Sequence, residues 1–310
     1  MYPELVSGAR TELEETFGHL LDKVPLLSTR TNVEELSGGI TNRNVKVSTP
    51  QGKYVVRISS NGSELLSIDR NSEFENSKIA ADIGIGAKVY EYLPEDGLLV
   101  ISFIEGKTFS AMDVSYNLER IAKSCRQLHS APPFARDFDM FSIQKSYLRI
   151  VQEKGFKLPL GYLQFEEKFQ KIREAMQVLD DKKVSCNNDL LPANFIDDGQ
   201  KIWIIDYEYS GNNDPCFELG NIWSEAKLDY DKLSELVTHY YLGDRPEKIA
   251  RAWLFALVAR YGWTLWASIQ SAISTIDFNF WDWGLEKFED AKRDFSSSEF
   301  SRALEAVTSE

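Results

Sequence analysis

Residues 186–223 read CNNDLLPANFIDDGQKIWIIDYEYSGNNDPCFELGNIW, and this stretch decides the fold. Asp189 and Asn194 stand five apart on a short loop, and a hydrophobic strand, IWII, then ends in Asp206. Phosphoryl transfer asks for this set: a carboxylate to orient a hydroxyl, and two oxygen ligands for Mg²⁺ on a nucleotide. Asp and Asn taken singly are ordinary turn residues. The full order, with Asp-Tyr-Glu-Tyr closing the strand, carries the phosphotransfer reading.

With these motifs the chain resembles the choline/ethanolamine kinase family, which is grouped with the aminoglycoside phosphotransferases among protein-kinase-like folds. The resemblance runs from about Leu36 to about Phe288, with the motifs in the family's order. It implies an α+β, bilobal protein-kinase-like fold. A small N-terminal nucleotide-binding lobe, residues 1–103, would hold an antiparallel sheet plus a helix. A larger, mainly helical lobe, residues 104–310, would carry catalysis and the acceptor. It further implies an ATP-dependent kinase moving the γ-phosphoryl group to the hydroxyl of choline, with ATP and Mg²⁺ as cofactors. In the family the first loop residue is normally His, in His-Asn-Asp; here it is Asn187. That His is usually braced against backbone, and an Asn donates and accepts similar hydrogen bonds with less reach. The departure raises a rival reading, a catalytically weak choline-binding module, while Asp189, Asn194 and Asp206 persist.

At 310 residues and 43% hydrophobic, the chain can bury one large core or two lobes. No run approaches the ~20 apolar residues of a membrane span. The N-terminus, MYPELVSGARTELEETF, is too acidic and too weakly hydrophobic for a signal peptide. Cys125, Cys186 and Cys216 are scattered without metal spacing, as expected of reduced thiols in a cytoplasmic protein. A net charge of −13 argues against nucleic acid and anionic membranes as partners. It also favours a cationic small-molecule substrate and requires that ATP be held by local cations, amides and Mg²⁺.

Residues 4–24 carry an apolar stripe of Leu5, Leu13, Phe17, Leu20 and Leu21 that predicts an amphipathic helix. VEELSGGITNRNVKV and KYVVRI read as a β-hairpin system, residues 71–83 as a helix, and GIGAKVYEYL and LLVISFI as two further strands. Beyond Phe103–Gly106 the chain is expected to be mostly helical. Helices are predicted over Asn117–His129, Phe165–Leu179 and, as one or two, Arg245–Ile276. Ser296–Glu310 is polar and expected to fray.

On the nucleotide side, Leu36-Ser37-Gly38-Gly39-Ile40-Thr41-Asn42 precedes a strand. Adjacent glycines let backbone N–H groups approach phosphate oxygens, and Ser37, Thr41 and Asn42 offer further donors. A plain hairpin turn would also use Gly-Gly. Arg57 ends KYVVRI where kinase-like folds place a phosphate-contacting cation, and its guanidinium grips phosphate in a fork. The resemblance implies that Glu75, on the next helix, aims Arg57, with Glu73 the poorer candidate because it faces elsewhere. It also likens the segment around Phe103 to the hinge whose backbone binds adenine.

On the acceptor side, Trp263 and Trp266 are three apart and share a helix face, and Phe278, Phe280, Trp281 and Trp283 follow. Rings and a carboxylate recognise a quaternary ammonium, which has no N–H to donate. Tryptophans at helical spacing also fill cores. The resemblance assigns Trp263, Trp266, Phe278 and Trp283 to choline, with Glu225 and Tyr230 as acidic and aromatic contacts; it assigns Phe280 and Trp281 to packing. Glu208 is expected to order the loop rather than bind metal, and His129 is assigned nothing. Ethanolamine, thiamine or an aminoglycoside are the rival acceptors, since rings outnumber the acids a primary ammonium would need.

Overall fold

The structure, a computed structural model, describes residues 12–36, 39–59, 63–179 and 182–309. Ser37 and Gly38, and the expected helix before residue 12, lie outside the described residues. The chain divides into two compact units, one of residues 1–61 and 88–103, the other of residues 62–87 and 104–310.

The first unit holds helix α1 (Glu12–Leu21) and strands β1 (Asn32–Leu36), β2 (Asn42–Thr49), β3 (Gly52–Ser59), β4 (Val89–Leu93) and β5 (Leu98–Ser102). They form an antiparallel sheet in the order β1-β2-β3-β5-β4. Alternation along β2 and β3 turns Val45, Val47, Tyr54, Val56 and Ile58 inward, where Phe17 and Leu21 of α1 cover them. The hairpin runs Asn42↔Ser59 to Thr49↔Gly52, so the chain turns at Pro50 and Gln51 and Gly52 opens β3.

The second unit begins with α2 (Arg70–Asp82), capped by Asp69 accepting the Ser72 N–H at 2.8 Å. Then come β6 (Lys107–Thr108), α3 (Ala111–Tyr116), α4 (Leu118–His129), α5 (Met140–Lys154) and α6 (Glu166–Met176). Strands β7 (Val184–Cys186), β8 (Phe195–Asp197), β9 (Ile202–Ile204) and β10 (Gly211–Asn213) frame the motif region. Helices α7 (Pro215–Glu225), α8 (Tyr230–Tyr241), α9 (Pro246–Ile273), α10 (Phe280–Phe295) and α11 (Ser298–Thr308) complete it.

Helix α9 is one uninterrupted helix, buried on every face from Ile249 to Gln270. A helix apolar all round must be a core helix, and α5, α7, α10 and α11 surround it. Small residues set the spacing. A Cβ on Gly220 would stand 2.1 Å from the Ala252 carbonyl oxygen, and one on Gly262 2.2 Å from the Met140 sulfur. No helix among the described residues is long and apolar enough to cross a membrane.

One expectation is corrected. The tail does not read as a frayed end: Ser298–Thr308 is helical, capped by Ser297, and buries Phe300, Ala303 and Val307. These three recur at helical spacing, so a polar average concealed an apolar stripe.

Candidate active site

The turn from β7 to β8 is built on two side-chain amides. Asn188 adopts φ +68°, a left-handed conformation that Asn tolerates better than most residues. It is fully buried, and its Nδ2 donates to the carbonyls of Cys186, Tyr209 and Gly211 while Asn213 donates to its Oδ1 at 2.9 Å. Asn187, also fully buried, donates through Nδ2 to the carbonyls of Ile205 at 3.2 Å and Asp206 at 2.7 Å; its Oδ1 accepts the Asp189 N–H at 3.1 Å. Asn187 therefore performs the bracing expected of the His it replaces.

Asp189 leaves this turn half-buried. Desolvation, then the negative charges of Glu225, Asp206 and Glu208, hold its carboxyl well above the usual range, with Lys287 opposing. Asn194 donates its amide N–H to the Asp189 carbonyl at 2.7 Å, which turns its Oδ1 away as an oxygen ligand. The Asn194 carbonyl accepts the Ile205 N–H at 3.0 Å, placing Asp206 one residue from Asn194 across the β8–β9 pair. Asp206 itself adopts φ +64°, held by Asn187. Oxygen donors of this kind, an amide and a carboxylate, suit Mg²⁺, which takes few protein ligands and completes its shell with phosphate and water.

Behind the turn lies a buried group that sequence reading missed. Glu218 accepts the Asn188 N–H at 2.6 Å and meets His129 Nε2 at 3.0 Å, while His129 Nδ1 meets the Tyr240 hydroxyl at 2.8 Å. Glu218 can only accept when ionised, so His129 donates from Nε2 and takes the tyrosine proton on Nδ1. Cys186 Sγ lies 3.6 Å from His129 Nε2. Although these three residues cluster, both Glu218 oxygens are engaged in holding the turn. Glu208 is buried and takes Arg70 at 3.1 Å, which also binds Glu73 at 2.9 Å, so it orders the segment after β9.

The acceptor candidates lie on α7, α9 and α10. Trp263 and Trp266 are 3% and 4% exposed, and both meet Tyr209. Tyr209 lies 4.9 Å from the Trp263 ring and takes the Trp266 Nε1–H at 2.7 Å, while its carbonyl binds Asn188. The indoles are thus inside the protein yet tied to the Asn188 turn through one residue. Trp266 meets Trp283 at 5.6 Å, and Phe278 meets Trp283 at 6.4 Å. Phe280, read as packing, is buried against Trp266 and Phe278. Glu225 ends α7 and binds Lys287 of α10 at 2.6 Å, and the Lys287 ammonium sits 4.0 Å over the Trp283 ring. Tyr230 opens α8 at 44% exposure, its charged neighbours being Glu299 and Arg302 rather than the tryptophan group.

The nucleotide candidates fall in both units. In the first, Arg57 is buried on β3 between Asn44 and Leu99. Thr41 and Asn42 are buried at the start of β2, and a Cβ on Gly39 would stand 2.8 Å from the Asn42 carbonyl, so the turn there is tight. Phe103 carries Lys46 over its ring at 4.8 Å and donates its N–H to Lys53. In the second, Glu75 is not on the inward face of α2: it is exposed beside Lys78, and Glu73 with Asn76, Ser77 and Ala80 turns inward. Residues 73, 76, 77 and 80 share a helical face, which residue 75 does not.

The antiparallel sheet of the first unit and the mainly helical second unit have protein-kinase-like architecture. Residues 33–251 match the model of the choline/ethanolamine kinase family, and the chain belongs to that family. Membership makes it an ATP-dependent kinase of an alcohol acceptor. A choline/ethanolamine kinase family protein from Mesorhizobium loti superposes with a TM-score of 0.84 at 28% identity, covering 96% of this chain and 99% of that one. The choline kinase LicA of Streptococcus pneumoniae gives 0.80 at 26% identity, covering 91% and 99%. A probable ethanolamine kinase of Arabidopsis thaliana is 25% identical over 94% of this chain and 85% of its own length.

Proposed function

We propose that the protein transfers the γ-phosphoryl group of ATP to the hydroxyl of choline, giving phosphocholine. One observation carries this reading: the rings of Trp266, Phe278 and Trp283 lie together, beside the Glu225–Lys287 ion pair. Ring faces suit a methylated ammonium, which has no N–H to offer. Asp189 orients the acceptor hydroxyl and takes its proton as the phosphoryl group moves. Asn194 Oδ1 and the Asp206 carboxylate would hold Mg²⁺, which when bound neutralises charge on the nucleotide phosphates. Arg57 and the 37–42 turn fix the phosphates, and the backbone at Phe103 takes adenine. Catalysis then rests on positioning more than on covalent chemistry.

Comparing phosphorylation of choline, ethanolamine, thiamine and kanamycin tests the assignment. Choline is expected to be the best acceptor by kcat/KM; choline as the poorest of the four overturns it. Its braced turn also argues for turnover over mere binding, since Asn187 satisfies both Asp189 and Asp206.

A further inference from the structure

Sequence reading assigned no role to Lys287, yet it stands at the centre of the acceptor group. Its ammonium donates to Glu225 Oε1 at 2.6 Å and lies 4.0 Å above Trp283, with both charged side chains nearly buried, at 11% and 6% exposure. Arg260, another buried cation beside α7, binds Ser224 at 2.7 Å and Asp294 at 2.5 Å. Glu225 is therefore neutralised by a residue of the chain itself before any substrate arrives.

We propose that Lys287 sets acceptor selectivity by holding the Glu225 carboxylate, so that the site favours a quaternary over a primary ammonium. This rests on the acceptor site proposed above. A primary ammonium carries three donors and needs oxygen acceptors to replace its lost water. With Glu225 Oε1 engaged by Lys287, the nearest carboxylate has less to give it. A trimethylammonium group has no donors and is stabilised by ring faces rather than by acceptor oxygens. Lys287 is a positioning residue in this scheme, since it acts through Glu225 and touches neither the transferred group nor the attacking hydroxyl. Its separation from Glu225, on α10 and α7, makes the pair invisible in sequence.

The test is steady-state kinetics with Mg-ATP on choline and ethanolamine for the wild type, Lys287→Met, Lys287→Arg, Glu225→Gln and the double variant Lys287→Met/Glu225→Gln. Lys287→Met frees Glu225, and the ratio of kcat/KM for ethanolamine over choline is expected to rise about tenfold, the size of one charge-assisted hydrogen bond. Lys287→Arg keeps the ion pair and should keep the wild-type ratio. In a Glu225→Gln background the Lys287→Met change should no longer move the ratio. A ratio that stays put in Lys287→Met, or falls, overturns the proposal even where overall activity drops, because a purely structural loss lowers both acceptors together. If Lys287→Met does not fold, a Lys287→Arg ratio unlike the wild type's overturns it, and a preserved one supports it. A wild type that phosphorylates neither amino alcohol instead removes the functional reading, and this proposal with it.

Discussion

The Asn187 amide donates to the carbonyl of Asp206 at 2.7 Å, tying the first residue of the catalytic turn to the end of the next strand. Both partners are held where the chemistry needs them, since Asp206 sits in the left-handed region and its neighbour Ile205 is bound by the same amide. Asn187→Ala leaves these carbonyls and the Asp189 N–H without the amide. It should lower kcat by about 100-fold through misplacement of the turn, and reduce stability by about 1–3 kcal/mol. Stopped-flow kinetics and urea melts measure the two effects; an unchanged kcat would refute the bracing role.

Glu218 is the second support of the turn. Glu218→Gln keeps the shape but replaces one acceptor oxygen with an NH₂, which must face either the Asn188 N–H or the His129 Nε2–H. Stability should fall by about 3 kcal/mol, as for a buried charge network missing one member. In the folded fraction, kcat should fall more than KM for ATP rises. Equal losses in both, read from initial rates, would assign Glu218 to general packing.

The crossing of α7 over α9 depends on Gly220. Its substitution by Ala forces a methyl group to within 2.1 Å of the Ala252 carbonyl, so the helices must separate. The expected cost is about 3 kcal/mol, at the upper end for overpacking, and thermal melts should show it. Because α7 carries Glu218 and Glu225, both ends of the site should loosen with it. A melting temperature within a degree of the wild type would contradict the packing described.

Trp266 links the acceptor group to the catalytic turn through Tyr209. Trp266→Leu removes a ring and that hydrogen bond while keeping an apolar filler. A desolvated cation–π contact is worth about 2 kcal/mol, so KM for choline should rise by roughly 30-fold with KM for ATP unchanged. An effect confined to ATP would place the acceptor elsewhere.

The candidate residues could be picked out because their signals are local. Asp189, Asn194 and Asp206 lie on one turn and one strand end, and Trp263 and Trp266 on one helix. What failed to show needed the tertiary fold. Glu218 and His129 are 89 positions apart and Glu225 and Lys287 are 62 apart, with no spacing to join them. The phase of α2 was misread because its inward face is Glu73, Asn76, Ser77 and Ala80, which gives no apolar periodicity to follow. The last helix was missed because three buried residues are diluted among eight others, all but Leu304 polar or small.

The central claim is that Asp189 directs phosphoryl transfer from ATP to the hydroxyl of choline. Phosphorus NMR of Mg-ATP with choline, wild type against Asp189→Asn, tests it most directly. The wild type should build up phosphocholine, and Asp189→Asn, folded to the same extent, should do so at least about 100-fold more slowly. Phosphocholine forming at equal rates in both, or in neither, would contradict it.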